Sequence, residues 1–151
     1  MSDPREALRR LISRSGRLLD EGDFGAYTGL FAPDGEYRLE AAGPEVAQAM
    51  TWVLLTRDEL AALLDSAAKH VWNTGLRKHL IAVDDVELDG EHAAASATFC
   101  VFRTDEAGAT SVYAVGSYDD EWSLADGRWS LRRRVARVQT RSLTPPSAMP
   151  L

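Results

Sequence analysis

The chain has 151 residues, 45% of them hydrophobic and 26% charged, a composition that suits one globular domain with a sizeable core and excludes a disordered segment. Its net charge of -6, from 17 basic and 23 acidic residues, argues against a general nucleic-acid binder, which needs a basic face to attract phosphates. A single cysteine, Cys100, excludes an internal disulfide and a multi-cysteine metal cluster. The start, Met1-Ser-Asp-Pro-Arg-Glu, carries no apolar signal core and no run reaches membrane-spanning length, so a cytoplasmic protein is the expectation.

Asp3-Pro4 caps a first helix, with proline where its missing N–H is not needed, and Leu8, Leu11, Ile12, Leu18 and Leu19 line one apolar face before Gly22 stops it. Asp23 caps a second, short helix whose Phe24, Tyr27, Leu30 and Phe31 share a face, and Ala32-Pro33-Asp34-Gly35 then forces a turn. A brief strand runs from Glu36 to Glu40, and Ala41 to Gln48 reads as a loop or a single turn. Met50 to Leu55 is an apolar run of the length of a buried strand, although a helix fits the same residues. Thr56-Arg57-Asp58-Glu59 is a capping box opening a helix with Leu60, Leu63, Leu64 and Ala67 inward.

From residue 76 onward the chain turns to strands, at roughly 77–88, 91–104, 111–124 and 128–141. Asp126-Gly127 supplies the positive φ values of a tight hairpin. Alternation places Tyr113, Val115, Ser117 and Asp119 on one face and Ala114, Gly116, Tyr118 and Asp120 on the other. It likewise sends Arg132 and Arg134 one way and Arg133, Arg137 and Arg141 the other, which favours ion pairs with Asp119, Asp120 and Glu121 or a polar interface over a phosphate-binding patch. Val112, Trp122, Trp129 and Val135 are expected on the outer face, inviting association. Helices first and a meander afterwards is an α+β order, in which N-terminal helices pack over the concave face of a strongly curved antiparallel sheet. Residues 1–141 form a single domain, and the tail 142–151, with three prolines, wanders unless a neighbour holds it.

Taken in order, Gly22-Asp23-Phe24, Tyr27-Thr-Gly-Leu-Phe31, Asp34-Gly-Glu-Tyr37, Lys78-His-Leu-Ile81, Gly116-Ser-Tyr-Asp119 and Gly127-Arg-Trp129 resemble the nuclear transport factor 2-like superfamily, a cone-shaped, cystatin-like fold. The resemblance covers nearly the whole chain. Within the superfamily it is most similar to the beta (small) subunit of aromatic-ring-hydroxylating dioxygenases, through the Leu30-Phe-Ala-Pro-Asp-Gly-Glu-Tyr37 block, the Arg57-Asp-Glu-Leu60 helix start, Gly-Ser-Tyr-Asp and a basic final strand. It departs from them at Val83, where they carry Asn, and at Arg38-Leu-Glu-Ala41, where they carry an aromatic-Pro pair. The resemblance implies a structural partner of a Rieske-type alpha subunit in aromatic compound catabolism, with three copies of each chain in a mixed hexamer. The Rieske iron-sulfur cluster and the mononuclear iron would then sit in the alpha subunit and no cofactor on this chain.

Metal ligation by this chain alone finds little support, since a Rieske centre needs two Cys and two His, and His70, His79 and His92 show no close paired spacing on one element. The competing reading is a stand-alone dehydratase, cyclase or isomerase acting on a hydrophobic or polyketide-like substrate, with a homodimer as its assembly. Its best residue is His79, which can move a proton in either direction near neutral pH, with Asp34 and Tyr27 as orienting or proton-donating partners. Tyr37, Trp52, Phe99, Tyr113 and Tyr118 are the candidate pocket lining for a small apolar or aromatic ligand. A third possibility is a pocket protein without chemistry. The ketosteroid-isomerase pattern is absent, because Ser15 and Leu39 stand where its tyrosine and its acidic base would be. His79 serves equally well as a hydrogen-bonded structural histidine, and Cys100, in the apolar run Ala97-Thr-Phe-Cys-Val-Phe102, reads as an inert buried thiol.

Overall fold

The computed structural model describes residues 3–41, 43, 50–69, 75–143 and 149–151. Helix α1 (Pro4–Glu21) begins where the Asp3 carboxylate accepts the Arg5 amide at 3.0 Å and ends on Gly22, whose φ of 73° is the left-handed conformation that closes a helix. Leu8, Ile12, Leu18 and Leu19 are buried, as their spacing predicts, and so are Ser15 and Gly16 on the same face. Helix α2 (Phe24–Thr28) is capped by Asp23, which accepts the Ala26 amide at 3.2 Å. Helix α3 (Arg57–Lys69) opens with the expected capping box: the Glu59 amide donates to the Thr56 hydroxyl at 3.2 Å and the Thr56 amide reaches the Glu59 carboxylate at 3.5 Å.

Among the described residues six strands form one open sheet: β1 (Phe31–Ala41), β2 (Met50–Thr56), β3 (Leu76–Asp89), β4 (His92–Thr104), β5 (Thr110–Ala125) and β6 (Arg128–Val138), in the order β2-β1-β6-β5-β4-β3. The expected α+β cone is the fold observed, with α1 packed on β3 and the largest buried side chains between helices and sheet. Met50–Thr56 is a strand, paired antiparallel with β1. One pairing differs from a pure meander, because β1 runs parallel to β6. The chain enters β1 from α2 at the same end from which β6 leaves its hairpin, so direction is set by the helical detour and not by any local pattern.

Three of the five register shifts among the described residues re-aim candidate side chains. Phe31 pairs with Leu131 and Glu36 with Arg133, so 32–35 bulge out against Arg132 alone, and the expected turn at Pro33-Asp34-Gly35 is absorbed within β1. Val101 pairs with Ala114 and Phe102 with Val112, which leaves Tyr113 as an extra residue. Glu121 pairs with Arg133 and Trp122 with Leu131, which leaves Arg132 extra on β6. The Asp126-Gly127 hairpin forms as expected, with φ of 52° and 73°.

The outer-face expectation is corrected at Trp122, which is buried in the core; Val135 lies on the outer face beside Arg133 and Arg137 but is covered there, Val112 is exposed and Trp129 half-buried. Among the described residues the exposed large apolar side chains are Met50, Trp52 and Leu54 on edge strand β2, Leu76 and Leu80 on edge strand β3, and Val112 on β5. Cys100, expected to be buried, is half-buried between its register partners Leu80 and Val115. The tail does not run free at its end: Leu151 is 1% exposed and belongs to the core. No helix among the described residues is long and apolar enough to cross a membrane.

Candidate functional site

The interior of the cone holds charge as well as hydrocarbon. Arg134 on β6 is fully buried and grips Asp120 on β5 with two parallel bonds, Nε to Oδ1 at 2.9 Å and Nη2 to Oδ2 at 2.8 Å, while its Nη1 donates to Ser15 on α1 at 2.8 Å. Its guanidinium lies 4.1 Å from the centre of the Tyr118 ring, which in turn stacks on Phe99 at 4.6 Å. A bidentate carboxylate, a hydroxyl and an aromatic face together replace the water this cation gives up. The carboxylate overrides the effect of burial and keeps Arg134 charged, its pKa raised above the ordinary arginine value.

His79 on β3 occupies the second polar centre. Asp20, near the end of α1, accepts the His79 backbone amide at 2.8 Å and meets its Nδ1 at 2.5 Å, so one carboxylate fixes both the strand and the ring. The helix comes this close because residue 16 is glycine: a Cβ there would stand 2.7 Å from Ile81 Cδ1 and 2.8 Å from His79 Cβ. His79 Nε2 is buried with no hydrogen-bond partner among the described residues. Asp20 was not among the candidates. The signal was present, since Asp20 follows Ile12 and Gly16 at four-residue steps and therefore lies on the stripe that faces the sheet.

Tyr27, Tyr37, Phe99, Tyr113 and Tyr118 all lie in the buried core. Tyr113 and Tyr118, which strict alternation sends to opposite faces, share the interior because of the bulge at Tyr113. Arg77 stacks on Tyr113 at 4.8 Å. The remaining candidates lie elsewhere. Asp34 faces solvent in the β1 bulge, paired with Arg132 at 2.7 Å, and Trp52 lies on the exposed edge strand, so neither joins His79. His70 lies outside the described residues, and His92 is exposed at the β3–β4 turn. Among the described residues no three His, Cys, Asp or Glu side chains come together as a metal site.

The arginines divide as alternation requires beyond the Arg132 bulge. Arg134 points in, while Arg133 meets Glu36 at 3.2 Å and Arg137 meets Glu40 at 3.5 Å and also Asp119 on the outer face. The expected pairs with Asp119 and Asp120 form, and Glu36 and Glu40 of β1 add to them through the parallel β1–β6 register.

Burial raises the pKa of Tyr27, Tyr37 and Tyr118 above the ordinary value of 10, with Arg134 opposing the shift in each. The folded chain therefore keeps protons that the unfolded chain releases. The contribution of these phenols is complete below pH 10 and is lost as the pH rises beyond it. Alkaline titration should show most tyrosinate absorbance appearing together with loss of the folded circular dichroism signal; tyrosinate appearing near its ordinary pKa in a chain that stays folded would contradict the assignment.

The family model described as the SnoaL-like domain matches residues 2–135. The chain belongs to the SnoaL-like domain family. Among sequence relatives, the beta subunit of the methanesulfonate monooxygenase hydroxylase of Methylosulfonomonas methylovora is 29% identical over 159 aligned positions, covering 99% of this chain and 88% of the relative. The beta subunit of 2-aminobenzenesulfonate 2,3-dioxygenase of an Alcaligenes species is 26% identical over 138 positions, covering 91% of this chain and 92% of the relative. Among solved structures, a protein of Novosphingobium aromaticivorans assigned as the beta subunit of an aromatic-ring-hydroxylating dioxygenase superposes with a TM-score of 0.81 at 23% identity, over 91% of this chain and 90% of the other. This SnoaL-like chain thus shares its nearly full-length fold and its sequence relatives with oxygenase beta subunits.

Proposed function

We propose that this SnoaL-like chain is the beta subunit of a Rieske-type oxygenase and braces an alpha subunit that holds the iron-sulfur cluster and the mononuclear iron. The observation that carries the reading is the similarity, over nearly the whole chain, to oxygenase beta subunits, joined by the matching of the interior charges within the chain. Arg134 is spent on Asp120 and Ser15, and Asp20 on both hydrogen-bonding groups of His79 that it can reach. Charges matched in this way specify a rigid fold. The two named relatives belong to oxygenases of organic sulfonates, which supports an organic sulfonate as substrate of the assembly. The exposed apolar groups, Met50, Trp52 and Leu54 on β2, Leu76 and Leu80 on β3 and Val112 on β5, are surfaces available for neighbouring subunits.

One observation favours a second reading, a hydro-lyase or isomerase. His79 oriented by Asp20, with Nε2 uncommitted, is the arrangement a general base requires. One experiment separates the two. Co-expression with a Rieske-type alpha subunit from the same genome should give one co-eluting complex with oxygenase activity, and His79→Gln should lower its thermal stability without changing turnover per intact complex. Failure to co-elute, together with dehydration activity of the isolated chain that His79→Gln removes at unchanged melting temperature, would overturn the bracing role.

A further inference from the structure

Among the described residues, the peptide unit between Pro150 and Leu151 lies between Arg77 and Tyr37, toward one end of the cone. The Pro150 carbonyl accepts from Arg77 Nη1 at 3.3 Å, and the amide of the same peptide unit, on Leu151, donates to the Tyr37 hydroxyl at 3.2 Å. Beyond it the Leu151 side chain is 1% exposed among core residues, with Met149 packed against them. Arg77 is part-buried and makes no ion pair among the described residues: its guanidinium stacks on Tyr113 within the field of Asp20, and its Nη2 is buried with no hydrogen-bond partner among those residues.

Arg134 meets a carboxylate with a bidentate fork, whereas Arg77 meets a neutral carbonyl through one arm and leaves another unused. A part-buried guanidinium with one arm unused, next to a phenol that can donate, is a receptor for an anion. Behind it lies a slot the size of a leucine side chain. We propose that this end of the cone is a binding site for a small organic acid with a branched or aromatic apolar body, and that Pro150-Leu151 is its built-in competitor. The carboxylate takes both arms of Arg77 and the Tyr37 hydroxyl, and the apolar body takes the place of the Leu151 side chain. Because the slot must empty first, the apparent affinity of the intact chain is reduced by the fraction of time in which Leu151 is out. The site does not depend on the oxygenase assignment, since it uses only residues of this chain and their contacts.

The test uses 4-methylpentanoate, which is leucine without its amino group, together with its neutral amide. Leu151→Ala weakens the competitor without shortening the chain and should bind 4-methylpentanoate about tenfold more tightly than the parent, by calorimetry and by the rise in melting temperature. In that background Arg77→Met should reduce the affinity for the acid by at least about tenfold, as loss of a charge-assisted pair requires. Should that variant not fold, the ligand carries the same comparison: the acid must bind Leu151→Ala more tightly than 4-methylpentanamide does. Equal binding by the parent and Leu151→Ala would overturn the competitor, and equal binding of acid and amide would overturn the anion site.

Discussion

Asp120→Ala is expected to destabilise the protein by about 3 to 5 kcal/mol, the usual effect of leaving one partner of a buried ion pair without the other. Arg134 has no exposed surface, and Ser15 and the Tyr118 face cannot balance its charge without the carboxylate. The guanidinium cannot escape by losing its proton. The paired replacement Asp120→Leu with Arg134→Met removes both charges and keeps the volume, and should recover most of the loss. Urea unfolding of the three proteins checks this. A single Asp120→Ala change that moves the midpoint by less than the double change does would show that the pair is not what holds these strands under α1.

Gly116→Ala is expected to cost about 3 kcal/mol, because overpacking here meets backbone and not a yielding side chain. A Cβ at residue 116 would lie 2.1 Å from the Arg137 carbonyl oxygen and 2.8 Å from Phe99 Cζ. At this point β5 passes between Phe99 and Val138, its register partners on β4 and β6. The absence of a side chain lets the sheet bend over the stacked Phe99–Tyr118 pair. Gly25→Ala is the matched comparison, since nothing lies within 4 Å of a Cβ there and the residue is in helix α2. It should be neutral or slightly stabilising, by up to about 1 kcal/mol. Thermal melts that fall equally for both variants would locate the effect in helix and strand propensity and not in the bend.

The two predictions concern groups that the sequence made visible in different degrees. Asp120 and the arginines were legible as partners across a hairpin, because the Asp126-Gly127 turn sets the register and oppositely charged residues then face each other. That Arg134 would be the buried one was not legible, since Arg132 and Arg134 are equivalent by alternation until a bulge turns Arg132 out to Asp34. Tyr113 shows the same effect in reverse, brought inside by the bulge at that residue. Bulges carry no reliable local signature, and each one inverts every face assignment beyond it.

His79 stands out by its chemistry, but of the partners expected for it Asp34 lies in an exposed bulge, and the carboxylate that meets its ring, Asp20, is 59 positions away on α1. A pairing between a helix and a strand that far apart depends on how the helix is seated on the sheet, and that is set by the absence of a side chain at Gly16.

By itself the amino-acid order determined the elements and their layer: helix caps, the capping box at Thr56, the Asp-Gly hairpin and the sequence of helices before strands. These follow from backbone hydrogen bonding and conformational preference over a few neighbouring residues. Tertiary structure alone decided the parallel β1–β6 pairing, the inward turn of Arg134 and Tyr113, the Asp20–His79 contact and the seating of Leu151 toward one end of the cone. Each of these joins residues distant in the chain, where the outcome is governed by the volume, charge and unsatisfied hydrogen bonds left when the helices close on the sheet.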